Sequence, residues 1–98
     1  MAVRFIFDPT KDAANIVKHG LSLTDAPLVF NAPDMLTLES TKASEARLMD
    51  IALVEKAGVV LVLVYVLREP NEVRAISLRR ASKHERNLYA SWQKTHSA

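Results

Sequence analysis

Residues 59–66 read Val-Val-Leu-Val-Leu-Val-Tyr-Val, apolar at every position and dominated by β-branched side chains. A strand of that kind cannot lie on a sheet with one wet face. It belongs at the centre, covered on both sides or lodged at an interface. It is no membrane span either, because even the longer apolar run from Ala57 to Leu67 falls far short of the roughly 20 residues a bilayer requires. The chain must therefore supply neighbours for a central strand. Its 98 residues leave room for a single domain, residues 1–98, to do so. With 49% of residues hydrophobic, there is apolar material for a core, and wholesale disorder is excluded.

The neighbours are legible from turn chemistry. Arg47 to Val54 and Val73 to Arg79 flank the central strand, joined to it by Glu55-Lys56-Ala57-Gly58 and by Glu69-Pro70-Asn71-Glu72. Tight connections of this length force antiparallel pairing. Met35 to Glu39 reads as an edge strand and Val3 to Phe7 as a short first strand. Asp8 and Pro9 start a helix, with Asp8 capping and Pro9 at the first helical position, where its missing N–H costs nothing. This helix passes Ala13, Ile16 and Val17 and stops at Gly20, after the cations Lys18 and His19. Leu21 to Phe30 predicts a second short helix, with Thr24 rather than Ser22 as its cap so that Pro27 falls at the third position. Ser82 followed by Glu85 is a capping-box pattern, and Leu88, Tyr89 and Trp92 then recur at helical spacing. The order β-α-α-β-β-β-β-α predicts an α+β domain with helices against one side of a mostly antiparallel sheet.

Several chemistries are excluded or unsupported. There is no cysteine, so disulfides, thiolate nucleophiles and zinc knuckles are out, which fits a cytoplasmic protein. No apolar leader segment precedes the first strand. His19, His84 and His96 stand far apart, none at ligand spacing with a carboxylate on one helix, so no metal or cofactor is expected. No phosphate-binding glycine loop is present among two glycines.

What remains is the placement of charge. Residues 1–67 carry six Lys and Arg against eight Asp and Glu, whereas residues 68–98 carry seven against three. The cations concentrate where the last strand enters the last helix, at Arg79, Arg80, Lys83 and Arg86. A local positive patch is the footprint of a phosphate-backbone partner, or else a solvated helix face. In the strand Arg74-Ala-Ile-Ser-Leu-Arg79, strict alternation puts Ala75, Ser77 and Arg79 on one face and Arg74, Ile76 and Leu78 on the other. Ile76 and Leu78 would then enter the core while Ser77 and Arg79 look outward. Guanidinium groups grip phosphate bidentately and stay charged at every working pH.

These residues carry a family resemblance. Phe5-Ile-Phe-Asp-Pro with Lys11, Asn15-Ile-Val-Lys-His-Gly, Leu21-Ser-Leu, Val29-Phe30, Glu45-Ala-Arg47 and Val64-Tyr65 are similar, in order and spacing, to the motifs of the BrnT toxins. So are Arg74-Ala-Ile-Ser-Leu-Arg79-Arg-Ala81 and Glu85-Arg86 with Tyr89. Phe7 and Ile6 stand where that family has Trp and Glu. The resemblance implies a RelE-like ribonuclease fold and an endoribonuclease that arrests translation and growth. It implies a BrnA-type antitoxin with a ribbon-helix-helix region as partner, operator DNA being reached only through that antitoxin. The alternative is a basic module that binds nucleic acid or antitoxin and does not cut.

RNA cleavage without a metal needs the 2′-hydroxyl deprotonated, the phosphorane charge neutralised and the leaving 5′-oxygen protonated. Arg74 and Arg79 are expected as phosphate clamps, with Arg47 as a third. For Arg79 the competing reading is an ion pair with a carboxylate such as Glu85; for Arg47, one with Glu45 or Asp50. His19 titrates near working pH and suits an acid or base, or caps its helix beside Gly20. Lys18, Arg80, Lys83 and Arg86 would add salt-sensitive attraction to RNA. Glu85 fits its capping box better than a catalytic base. Tyr65, Tyr89 and Trp92 fit packing better than chemistry.

Overall fold

The computed structural model describes residues 3–40, 47–55, 57–68 and 70–96. Its strands are β1 (Arg4–Ile6), β2 (Met35–Ser40), β3 (Arg47–Val54), β4 (Val59–Arg68) and β5 (Glu72–Arg80). The helices are α1 (Pro9–His19), α2 (Ala26–Phe30) and α3 (Lys83–His96), with a 3-10 turn over Leu23–Asp25 leading into α2. One sheet runs in the order β1-β5-β4-β3-β2, so the all-apolar strand is central as its sequence demands. β3 and β5 both pair with it antiparallel, β2 pairs antiparallel with β3, and β1 adds a short parallel pairing on β5.

Helices cover both faces, not one. Leu61, Leu63 and Tyr65 of β4 pack with Leu23, Ala26 and Val29 beneath the 3-10 turn and α2. Val62, with Ile51 of β3, packs against Tyr89 and Trp92 of α3. The correction follows from β4 itself, since its side chains are apolar on both sides and need two covers.

The second helix also starts differently. Asp12 of α1 accepts the Leu23 N–H at 2.6 Å and the Ser22 hydroxyl at 3.1 Å, which anchors the chain at Ser22. Ser22 Oγ then accepts the Thr24 N–H at 3.2 Å and caps the 3-10 turn. Thr24 is therefore inside that turn and caps nothing. α2 follows from Asp25, which makes no side-chain capping bond, with Pro27 in its first turn.

Other local readings hold in detail. Asp8 Oδ1 accepts the Thr10 N–H at 2.8 Å, and Gly20 ends α1 at φ +70° with its N–H on Ile16 O. The β3–β4 turn closes on Val54 O through the N–H groups of Ala57 and Gly58. Glu69 of the β4–β5 turn lies outside the described residues.

Candidate nucleic-acid interface

β5 does not alternate strictly. Tyr65 pairs with Ala75 while the next residue of β4, Val64, pairs with Ser77, so Ile76 is an extra residue, a β-bulge. The bulge restarts the pleat. Val73, Ala75 and Leu78 consequently all enter the core beneath α2, and Ile76 does not. Arg74, opposite Val66, and Arg79, opposite Val62, then face the same side of the sheet together with Ser77. Strict alternation had separated the two arginines; the bulge reunites them.

Arg47 joins this face. One step beyond the Leu48–Tyr65 pair, it flanks Val66 on one side as Arg74 does on the other. Strand spacing puts the Cα atoms of Arg47 and Arg74 roughly 10 Å apart, and Arg74 roughly 13 Å from Arg79 along β5. The three arginines therefore mark a band rather than a point. Asp50, three residues after Arg47, points to the opposite face, where Thr37 and Tyr65 donate to it at 2.8 and 3.0 Å. Glu45, the other carboxylate considered for Arg47, lies outside the described residues.

α1 delivers His19 to the same edge, through a residue that sequence reasoning passed over. β1 ends opposite Arg74, so the backbone of β5 beyond it lacks a neighbouring strand. Asn15 fills the gap. Its Oδ1 accepts the Leu78 N–H at 3.1 Å, and its Nδ2 donates to Leu78 O at 2.8 Å and to Leu21 O at 2.7 Å. A side-chain amide thus imitates one step of a strand, and Asn15 is the one buried residue of α1. Ile16 and Val17 are turned outward, at 46% and 89% exposure. Hydrophobic periodicity cannot find a helix that buries its amide and exposes its valine. The available signal was the polar position itself, midway between Lys11 and Lys18.

With α1 pinned in this way, Lys18 and His19 lie against Ile76 and Ser77 in a recess at the bulge. Partial burial, then the charges of Lys18 and Arg79, hold the His19 imidazole below the ordinary histidine range. That shift favours the neutral imidazole, the form able to accept a proton.

Arg79 is held on both sides of its guanidinium fork. Its NH1 and NH2 donate to the two oxygens of Glu85 at 2.6 and 2.8 Å, the bidentate pairing weighed for it. Glu85 also accepts the Ser82 N–H at 2.8 Å and donates its own N–H to Ser82 Oγ, completing the capping box of α3. These bonds, Arg79 first, hold the Glu85 carboxyl down to about 2. One carboxylate therefore orients the guanidinium and starts the helix. Arg80 and Lys83 are exposed beside it, and Arg86 donates to Ala81 O at 2.9 Å. Tyr89 is buried with its hydroxyl on Asp34 O, and Trp92 packs on the sheet, so neither is offered to a base. Among the described residues no three His, Asp or Glu side chains gather as metal ligands, and no helix is long and apolar enough to cross a membrane.

Fold and edge together define a small α+β domain whose sheet carries a band of cations along one face, ending at a histidine. Residues 7–85 match the family described as the ribonuclease toxin BrnT of type II toxin–antitoxin systems, and the chain belongs to that family. The crystal structure of the Brucella abortus ribonuclease toxin BrnT is similar, with a TM-score of 0.65 and 26% sequence identity over 84% of this chain and all of that one. Sequence comparison with curated proteins returns no match.

Proposed function

We propose that the chain is a metal-independent endoribonuclease, acting in the cytoplasm to arrest translation and restrained by a BrnA-type ribbon-helix-helix antitoxin. The observation that carries this reading is the meeting of His19 with cations at the β5 bulge. His19 takes the 2′-hydroxyl proton as the 2′-oxygen attacks phosphorus. The P–O5′ bond breaks with the 5′-oxygen taking a proton from solvent, and Arg79 faces the charge that builds on the phosphate oxygens. Arg74 and Arg47 extend the grip along the face, and Lys18, Arg80, Lys83 and Arg86 supply long-range attraction to the backbone. The exposed apolar stripe of Ala13, Ile16 and Val17 lies on the same helix as His19, surface of the kind a partner protein covers. Operator DNA would be met through the antitoxin.

The tie between Arg79 and Glu85 favours a second reading, a basic module that binds RNA or antitoxin without cutting. One experiment separates the two. The purified chain is incubated with a structured RNA, with and without EDTA, beside an Arg79→Ala variant whose folding is checked by circular dichroism. Cleavage that survives EDTA, leaves 2′,3′-cyclic phosphate ends and falls about 100-fold or more in the variant supports the nuclease. Binding without cleavage by the wild type supports the module, and cleavage unchanged in the variant removes Arg79 from the chemistry.

A further inference from the structure

We propose that the recess between α1 and the β5 bulge is a phosphate subsite, and that Lys11 and Ser77 are ligands of that phosphate alongside Lys18 and His19. The proposal rests on the RNA reading above and adds two residues to it. Lys11, Ala14, Lys18 and His19 of α1 face Ile76 and Ser77 of β5 across a cavity of about 210 Å³.

The recess is built rather than incidental. Asn15, locked to the backbone of Leu78, sets the rotation of α1. Lys11 lies four residues before it and Lys18 three after, which places both on the stripe of the helix that meets β5. On the strand side, the bulge at Ile76 turns Ser77 onto the face shared with Arg74 and Arg79. Bulges re-aim side chains in this way beside functional sites.

The site has donors and no counter-charge. Among the described residues, no hydrogen bond or ion pair involves the side chains of Lys11, Lys18, His19 or Ser77. The carboxylates nearby are committed elsewhere. Asp8 caps α1, Asp12 holds Ser22 and Leu23, and Glu85 holds Arg79. Two other cations are matched by the fold, Arg4 by Glu72 and Arg79 by Glu85. Two ammonium groups, an imidazole and a hydroxyl around one small cavity offer donors from several directions. That suits a tetrahedral phosphate with several acceptor oxygens better than a planar carboxylate.

The test uses the intact chain and two probes. Inorganic phosphate is titrated while the amide signals of Lys11, His19 and Ser77 are followed by NMR. A 2′-O-methyl oligoribonucleotide, which resists cleavage, is titrated at several salt concentrations against wild type, Lys11→Gln and Ser77→Ala. Phosphate is expected to shift those three signals, and Lys11→Gln to lower the slope of log affinity against log salt by about one. Ser77→Ala, which removes one hydroxyl and perturbs no packing in the core, is expected to weaken phosphate binding while leaving the slope unchanged. An oligonucleotide bound equally by wild type and both variants overturns the subsite and leaves the RNA reading standing. Phosphate bound at these signals with no oligonucleotide binding upholds the subsite and overturns the RNA reading. Binding of neither probe overturns both.

Discussion

Glu85 and Asp50 stand at opposite sides of one sheet and meet opposite surroundings. Glu85, at the basic edge, has both oxygens on the Arg79 guanidinium and a backbone N–H besides, and its carboxyl is held down to about 2. Asp50 is fully buried in β3, with only the hydroxyls of Thr37 and Tyr65 as donors and Oδ2 without a hydrogen-bond partner among the described residues. Burial raises its carboxyl despite those two bonds. The Tyr65 phenol is raised as well, by burial first and by the Asp50 charge next to it. The lesson concerns where this fold keeps its cations. They are spent at the α1–β5 edge, some of them with no carboxylate at all, while a carboxylate in the interior goes without one.

The largest break in this contrast comes from loosening the edge as a whole. Asn15→Ala removes three hydrogen bonds and leaves the Leu78 N–H and C=O buried without partners. The expected loss is about 2–3 kcal/mol of unfolding free energy, read as a lower urea midpoint at unchanged slope. Cleavage should fall too, because α1 carries His19 and Lys18. A loss under about 0.5 kcal/mol would mean that α1 is held by something other than its amide.

A middling effect is expected at Glu85. Gln at this position can keep the capping box and cannot keep the ion pair. The folded carboxyl lies below its unfolded value of 4.5, so its contribution is complete above that value and is lost as pH falls towards 2. Wild type should therefore exceed Glu85→Gln by on the order of 2 kcal/mol at pH 7, and the two should converge near pH 2. Denaturant midpoints across that range measure it. A gap that persists at pH 2 would assign the effect to the cap rather than to the charge.

How much of this contrast was legible beforehand depends on whether its cause is local. The Ser82–Glu85 box, the Asp8–Pro9 start, the Gly20 stop and the central position of β4 are written in neighbouring residues, and each stands in the structure. The pairing of Arg79 with Glu85 was one of two open readings, since a strand-end cation six residues from a carboxylate can go either way. The common face of Arg74 and Arg79 was not legible, because a bulge is created by the partner strand. Period-2 reasoning placed Ile76 in the core for the same reason. Asn15 was missed because its partner is the backbone of Leu78, 63 residues away, and a backbone group has no sequence signature. Asp50 entered the reading only as a mate for Arg47, whereas the strand pleat turns the two side chains apart.

The smallest expected effect, and the one that tests the contrast most directly, is at Asp50. Its folded carboxyl lies above its unfolded value, so the sign reverses. Its contribution is complete below the unfolded value of 3.8 and is lost as pH rises through the folded one. Asp50→Asn keeps an oxygen for Thr37 and Tyr65 and removes the buried charge, at the cost of an amide N–H pair where Oδ2 had no partner. The net change at pH 7 should stay within about 1 kcal/mol. Relative to wild type, however, Asp50→Asn should gain stability as pH rises from 4 to 8, where Glu85→Gln loses it as pH rises from 2. Urea midpoints of the two variants and wild type across pH 2–8 would thus trace difference curves of opposite slope. A flat curve for Asp50→Asn would show that the Asp50 carboxyl is not raised in the folded chain, whereas an advantage that keeps growing up to pH 8 would show that the Thr37–Asp50–Tyr65 cluster carries its proton at neutral pH.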